Sequence, residues 1–140
     1  MNPREYTEQF FKALSDTYFS SDITETATDY LKGECRLLSY LNIEDNKEYQ
    51  PGELSRSLSV SSARISSMLK SLEKKGYILR RCSSDDKRKV FVSLTENGKK
   101  YIETKRESIC CDFDDIFMGL GESDSAKIIE YITAITELLK

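Results

Sequence analysis

The sequence contains no histidine and no tryptophan, and only two prolines and six glycines among 140 residues. The missing histidine removes the commonest general base, the commonest metal ligand and the usual pH switch. No glycine-rich phosphate loop and no motif of paired carboxylates is present either. Because no nucleophile has an activating base, we expect that the protein is not an enzyme and that it holds neither a metal nor another cofactor.

Long apolar runs are also missing, since none approaches the roughly 18 residues needed to cross a bilayer. The start, MNPREYTEQF, lacks the layout of a signal peptide, so we expect a cytoplasmic protein without a membrane partner. Its four cysteines then favour reduced thiols over a disulfide framework. We expect Cys35 and Cys82 in the core and Cys110 and Cys111 buried as small apolar side chains. A redox or metal-thiolate role for the adjacent pair is the alternative.

Charge is distributed unevenly along the chain, although the net charge is only −3. Residues 53–106 hold 14 Lys and Arg against six Asp and Glu, a local net charge of +8, whereas the remaining residues carry −11. A basic centre between acidic ends favours a polyanion as the partner of the centre.

Apolar residues at three- and four-residue steps predict two helices in the first part of the chain. The first ends near Phe19 and carries one stripe, formed by Tyr6, Phe10, Phe11, Leu14 and Tyr18. The polar segment SSDITETATD predicts a connection. The second helix is expected from about Ala27 to Leu41, with Leu31, Cys35, Leu38 and Leu41 facing inward. The segment NIEDNKEYQ then predicts a loop.

The centre of the chain predicts a helix-turn-helix. Pro51 suits the first turn of a short helix that continues to Leu58. After a break at residues 59–60, Ser61 can cap a new helix whose inward stripe is Ile65, Leu69 and Leu72. Gly76 closes that helix as a left-handed cap.

Two β-prone runs follow, Tyr77 to Cys82 and Val90 to Leu94, and they predict an antiparallel hairpin with a cationic tip. Thr95 can then cap a long helix that is interrupted at Gly119 and Gly121, and a last helix is expected from about Ser123. The outer helices carry more apolar surface than one small winged helix-turn-helix could bury. We therefore expect them to pair with a second copy of the chain in a two-fold dimer.

Residues 50–100 resemble the core of the MarR family of transcription regulators. The resemblance is carried by LEKKGYILRR at the end of the recognition helix, by Asp86-Lys87-Arg88 in the wing, and by Leu94-Thr95-Glu96-Asn97-Gly98 at the junction between strand and helix. It implies a mainly α fold with a small β-hairpin (α+β), a winged helix-turn-helix with N- and C-terminal dimerisation helices. Residues 1–140 would form one such domain, with a DNA-binding core over 27–100 and dimerisation helices over 1–20 and 101–140.

The resemblance further implies a homodimer whose recognition helices enter consecutive major grooves of double-stranded DNA and whose wings reach the flanking minor grooves. Such a protein is expected to be a sequence-specific transcriptional regulator, a repressor relieved by a small anionic or aromatic ligand. Thiol oxidation is a less common trigger. No residue of this sequence identifies the ligand site.

Two groups of residues are the candidate DNA contacts. On the recognition helix, backbone N–H groups and hydroxyls suit phosphates and Arg64 suits a guanine edge; the group is Ser61, Ser62, Arg64, Ser67 and Lys70. In the wing, Arg88 suits a narrow minor groove, Asp86 would hold that arginine, and Lys87 and Lys89 suit phosphates. The alternatives are a solvated turn beside a polar helix face, and a winged helix that contacts protein instead of DNA.

Overall fold

The structure is a computed structural model that describes all 140 residues. The fold is mainly helical with one two-stranded hairpin, as predicted, and its elements in chain order are α1 (Pro3–Ser20), α2 (Asp22–Tyr30), α3 (Gly33–Leu41), α4 (Pro51–Leu58), α5 (Ser62–Lys74), β1 (Ile78–Cys82), β2 (Val90–Leu94), α6 (Glu96–Leu120) and α7 (Glu122–Leu138). The chain divides into two compact units, Met1–Arg106 and Glu107–Lys140. None of the helices combines the length and the apolar character that spanning a membrane requires.

The first helix is confirmed, but the prediction for the next segment was wrong. SSDITETATD forms most of α2 instead of a connection, because Ser21 caps that helix by accepting a hydrogen bond from the N–H of Ile23 at 3.1 Å. The expected single helix from Ala27 to Leu41 is divided, since Gly33 adopts a φ of +59° at the start of α3. Leu31 lies at this break and is 69% exposed, so its predicted inward position was also wrong.

The core lies in the first unit and is built from α3, α4, α5, the hairpin and the start of α6. Its buried side chains are Leu37, Leu38, Leu41, Tyr49, Leu54, Leu58, Ile65, Met68, Leu69, Leu72, Ile78, Val92 and Ile102. Tyr49 belongs to the segment predicted as a plain loop. It is buried because its backbone pairs with Val92 through hydrogen bonds of 2.9 and 2.7 Å, which add a short bridge to the edge of the hairpin.

The helix-turn-helix is confirmed residue by residue. Pro51 starts α4, and Ser59 ends it in a left-handed conformation with a φ of +52°. The Ser61 Oγ accepts a hydrogen bond from the N–H of Arg64 at 3.2 Å and so caps α5. The predicted inward stripe of α5 is buried, and this burial fixes which face of α5 looks outward.

The hairpin pairs β1 with β2 in antiparallel register, from Ile78 opposite Leu94 to Cys82 opposite Val90. Gly76, with a φ of +79°, makes the predicted left-handed turn before it. Thr95 caps α6 as predicted, since its Oγ1 accepts the N–H of Gly98 at 3.0 Å. Gly119, however, lies inside α6, and only Gly121 ends that helix, because Gly121 alone has a positive φ of +84° there.

The predicted burial of the cysteines holds for only part of the set. Cys35 is half-buried and packs against the core, and Cys110 is half-buried. Cys82 and Cys111 are exposed, so those two predictions were wrong. Cys82 lies at the end of a strand in which only Ile78 is buried, and Cys111 lies on a solvent-exposed face of α6. All four are free thiols.

Candidate nucleic-acid interface

The candidate residues of α5 are all exposed, on the side of the helix away from its buried stripe. At 100° per residue, Ser67 and Lys70 lie near the middle of this face, and Ser62 and Arg64 lie at its two edges. Ser66 is exposed on the same face, between Ser62 and Lys70. The sequence reasoning did not include Ser66, although its helical spacing places it there.

Ser61 and the start of α5 offer donors of a particular kind. Because the Ser61 Oγ accepts the N–H of Arg64, that N–H is satisfied by the cap. The N–H groups of Ser62 and Ala63 precede the first intrahelical hydrogen bond of the helix. These two N–H groups and the hydroxyl proton of Ser61 point out of the helix start, where an anion is favoured.

Asp86 organises the tip of the wing. Its Oδ1 accepts the backbone N–H of Arg88 at 2.9 Å and lies 3.9 Å from the Nε of the same residue. Its carbonyl oxygen accepts the N–H of Lys89 at 3.0 Å. The side chain of Arg88 is 96% exposed and therefore projects into solvent from a turn that Asp86 holds.

Ion pairs divide the cations of the basic segment into two sets. Four of them are neutralised within the first unit, through Lys75 with Glu34 at 2.7 Å, Arg80 with Glu73 at 2.9 Å, Arg81 with Glu48 at 2.7 Å and Lys99 with Asp45 at 2.9 Å. Arg64, Lys70, Lys87 and Lys89 have no carboxylate within 4.0 Å. Two cations on α5 and two on the wing thus keep their positive charge available, while Arg88 lies 3.9 Å from the carboxylate of Asp86.

Two consecutive arginines of β1 were missed by the sequence reasoning. Neighbouring strand residues point to opposite faces, so Arg80 reaches Glu73 on α5 while Arg81 reaches Glu48 in the loop before α4. Arg80 binds both oxygens of Glu73, with Nε at 3.1 Å and Nη2 at 2.9 Å. The Arg81 Nε lies 2.7 Å from Glu48 Oε1, and its guanidinium stacks 4.7 Å from the ring centre of Phe91. Glu73 and Arg80 lie in different elements, so the period of a single helix or strand does not pair them.

These contacts shift the ionisation of the acidic partners. The hydrogen bonds from Arg80 lower the pKa of Glu73, and those from Arg81 lower the pKa of Glu48. Desolvation alone would raise the pKa of Glu34, but hydrogen bonds from Lys75 and Ser71 outweigh it and leave that pKa lowered. All three carboxylates therefore favour their charged form. Their ion pairs connect α3, α5 and the loop before α4 to neighbouring elements.

Residues 26–104 match the family described as transcriptional regulator SarA/Rot. The chain belongs to the SarA/Rot family. This family member has the winged-helix fold of the MarR regulators, as the sequence resemblance implied.

Three proteins illustrate what this SarA/Rot family member is similar to. The HTH-type transcriptional regulator SarZ of Staphylococcus epidermidis is 35% identical over 85 residues, which are 57% of this chain and 57% of that relative. The match therefore spans little more than half of the relative's length. A mutant MarR from E. coli has 21% identity, covers 100% of this chain and 98% of its own, and gives a TM-score of 0.64. Streptococcus pneumoniae FabT in complex with DNA has 19% identity, 99% and 97% coverage and a TM-score of 0.66. The two structures establish the fold.

Proposed function

We propose that this SarA/Rot family member is a sequence-specific transcriptional regulator that binds double-stranded DNA as a homodimer. The observation that carries the proposal is the set of free cations and hydroxyls on the exposed face of α5 and on the wing tip. Those two surfaces are the parts of a winged helix-turn-helix that suit a major and a minor groove. The complex of FabT with DNA supports the proposal, because that protein has the same fold.

Each candidate residue then has a distinct role. Arg64 is the residue of α5 that can donate two hydrogen bonds to a guanine edge, while Lys70, Ser61, Ser62 and Ser67 bind phosphates or base edges beside it. Arg88 enters the minor groove, where its slim cation meets the most negative potential. Asp86 holds the wing turn, and Lys87 and Lys89 contact phosphates.

Exposed apolar faces on α1 and α7 support the homodimer. On α1, Tyr6, Phe10, Phe11 and Leu14 are each more than half exposed, and α7 exposes Ile129, Tyr131 and Ile132 to a similar degree. A chain of this size does not leave aromatic and aliphatic stripes open to water as a monomer. A second copy of the chain is the occupant that we propose for both faces, and a dimer presents two recognition helices to two half-sites.

We further propose that DNA binding represses transcription and that a small anionic or aromatic effector relieves it. This part rests on the resemblance to the MarR family, and no residue is assigned to the effector. A thermal-shift screen of phenolic and anionic metabolites against the protein tests it, because a ligand that binds the folded state raises the melting temperature. A hit must also release DNA to support the proposal.

The test of the DNA proposal begins with selection of a preferred duplex from random sequences. Affinity for that duplex and for a random one is then measured as a function of salt. We expect the affinity to fall steeply with salt, because bound phosphates release counterions. Binding the selected duplex no more tightly than the random one at physiological salt would contradict the proposal.

Two variants separate the roles of helix and wing. Arg88→Ala should weaken binding to every sequence and reduce the salt slope by about 1 per wing. Arg64→Ala should mainly relax the preference at one base pair, by about 1–3 kcal/mol. Lys127→Ala, which removes an exposed cation of α7, is the control and should change neither quantity.

A further inference from the structure

Arg80 and Glu73 join the recognition helix to the wing, and this contact has a consequence for DNA binding. Glu73 lies in the last turn of α5, directly after the buried Leu72, and Arg80 lies in β1, two residues after the buried Ile78. The carboxylate and the guanidinium meet through two parallel hydrogen bonds of 3.1 and 2.9 Å. Such a bidentate pair restrains orientation as well as distance.

The short connection between α5 and β1 does not by itself restrain the angle between the helix and the hairpin. Only Lys75, Gly76 and Tyr77 separate α5 from β1, and Gly76 makes the turn with a φ of +79°. Glycine adopts backbone conformations with a positive φ freely, and it changes between neighbouring conformations at little energetic cost. Hydrogen bonds from Gly76 and Tyr77 to the end of α5 and the burial of Ile78 hold the base of the hairpin, and the Glu73–Arg80 contact adds a restraint on its exposed side.

We propose that Glu73 and Arg80 are positioning residues that set the angle of the wing relative to the recognition helix, without touching DNA themselves. This inference rests on the proposed DNA-binding function. Arg64 on α5 and Arg88 at the wing tip must reach two grooves at once, so a loose hairpin loses one contact whenever it makes the other. Arg80 is a poor candidate for a phosphate contact, because the carboxylate of Glu73 already neutralises its charge and takes two of its five N–H donors.

The sign of one substitution separates positioning from direct contact. If Arg80 bound a phosphate, Glu73→Ala would free its guanidinium and remove a negative charge, so DNA affinity would rise. If the pair positions the wing, Glu73→Ala weakens binding to the selected duplex, by about threefold or more. An unchanged or higher affinity for Glu73→Ala overturns the proposal.

Arg80→Lys provides a second readout, because lysine keeps the charge but cannot make the bidentate contact. Positioning requires that Arg80→Lys loses as much affinity as Glu73→Ala, and that the double variant loses no more than either single one. Affinity close to wild type for Arg80→Lys would instead indicate that only the charge matters. That result would also overturn the proposal.

The wing itself gives the third readout. If the pair acts by holding the wing, Glu73→Ala has little further effect once Arg88→Ala has removed the minor-groove contact. Fully additive losses in the combined variant would contradict this. If the wild-type protein showed no sequence preference, that result would contradict the proposed DNA-binding function and not the positioning role. The two failures are therefore distinguishable.

Glu48→Ala is the matched control for folding. Arg81 and Glu48 form a bidentate pair of the same chemistry on the opposite face of β1, and this pair does not involve α5. Both Glu48→Ala and Glu73→Ala remove one arginine–carboxylate pair from the hairpin, and their unfolding midpoints should be similar. An equal loss of DNA affinity in the two variants would indicate general loosening of the hairpin and would overturn the specific role of Glu73.

Discussion

Gly98 lies directly against the backbone of Tyr77, because a Cβ atom added to Gly98 would come 2.1 Å from the carbonyl oxygen of Tyr77. That carbonyl also accepts the N–H of Thr95 at 3.0 Å. One turn further along α6, the ring of Tyr101 stacks on the ring of Tyr77 at 4.4 Å. The first turns of α6 are thereby packed against the entrance to the wing, and only glycine permits this distance at residue 98.

Gly98→Ala is therefore expected to destabilise the protein by at least about 1–3 kcal/mol, since backbone must move to admit the methyl group. Urea unfolding measures the change. Gly119→Ala is the control, because Gly119 is also in α6 but has no atom within 4 Å of its added Cβ. It should be neutral or slightly stabilising. Equal stability of Gly98→Ala and wild type would contradict the close contact.

The Glu73–Arg80 pair predicts a pH dependence of stability. Arg80 lowers the pKa of Glu73 below its ordinary value of 4.5, so the folded state binds the proton of Glu73 less readily than the unfolded state does. The contribution is fully present above about pH 4.5 and is lost as the pH falls through the folded-state pKa. At neutral pH it is at most about 1 kcal/mol, because the pair is partly exposed.

Urea midpoints of wild type and Glu73→Gln between pH 7 and pH 3 measure this dependence. The two midpoints should differ at pH 7 and converge toward pH 3. A difference that stays constant over this range would show that the ionised carboxylate of Glu73 contributes nothing to stability.

Phe10→Glu and Ile132→Glu are each expected to shift the proposed homodimer toward monomer at micromolar concentration. Each places a charge on an exposed apolar face, where a second copy would have to desolvate it. Analytical ultracentrifugation measures the mass, and DNA affinity should fall with it. Gln9→Glu adds the same charge to an exposed residue on the side of α1 away from the centre of the apolar stripe and should stay dimeric. A wild-type monomer would contradict the assignment of these faces.

Cys111 is expected to react more slowly with iodoacetamide at pH 7 than a free thiol does. Partial desolvation raises the pKa of Cys111, and the nearby carboxylate of Glu107, 3.8 Å from the Sγ, raises it further. Mass spectrometry of the alkylated protein at pH 7 and pH 9 measures the rate, which should increase with pH. A reaction faster than that of a free thiol at pH 7 would favour the thiol-based alternative for regulation.

Local patterns predicted much of the winged helix correctly. Pro51, Ser61 and Gly76 act on the backbone of their own turn, and the period of Ile65, Leu69 and Leu72 follows from the geometry of one helix. The division between α2 and α3 was missed, because the apolar spacing continues across Gly33 while its positive φ interrupts the helix. The same local signals placed the candidate contacts of α5 and the wing on exposed surface.

The sequence by itself determined the helix-turn-helix, the antiparallel hairpin with its cationic tip, and the position of the basic segment, because each depends on neighbours within a few residues. Only the tertiary structure decided that Tyr49 is buried against Val92, that Gly98 contacts Tyr77, and that Arg80 pairs with Glu73 while Arg64 stays free. Whether a cation is neutralised depends on which carboxylate the fold brings within reach. That is a property of the packed chain, in which residues distant in sequence become neighbours.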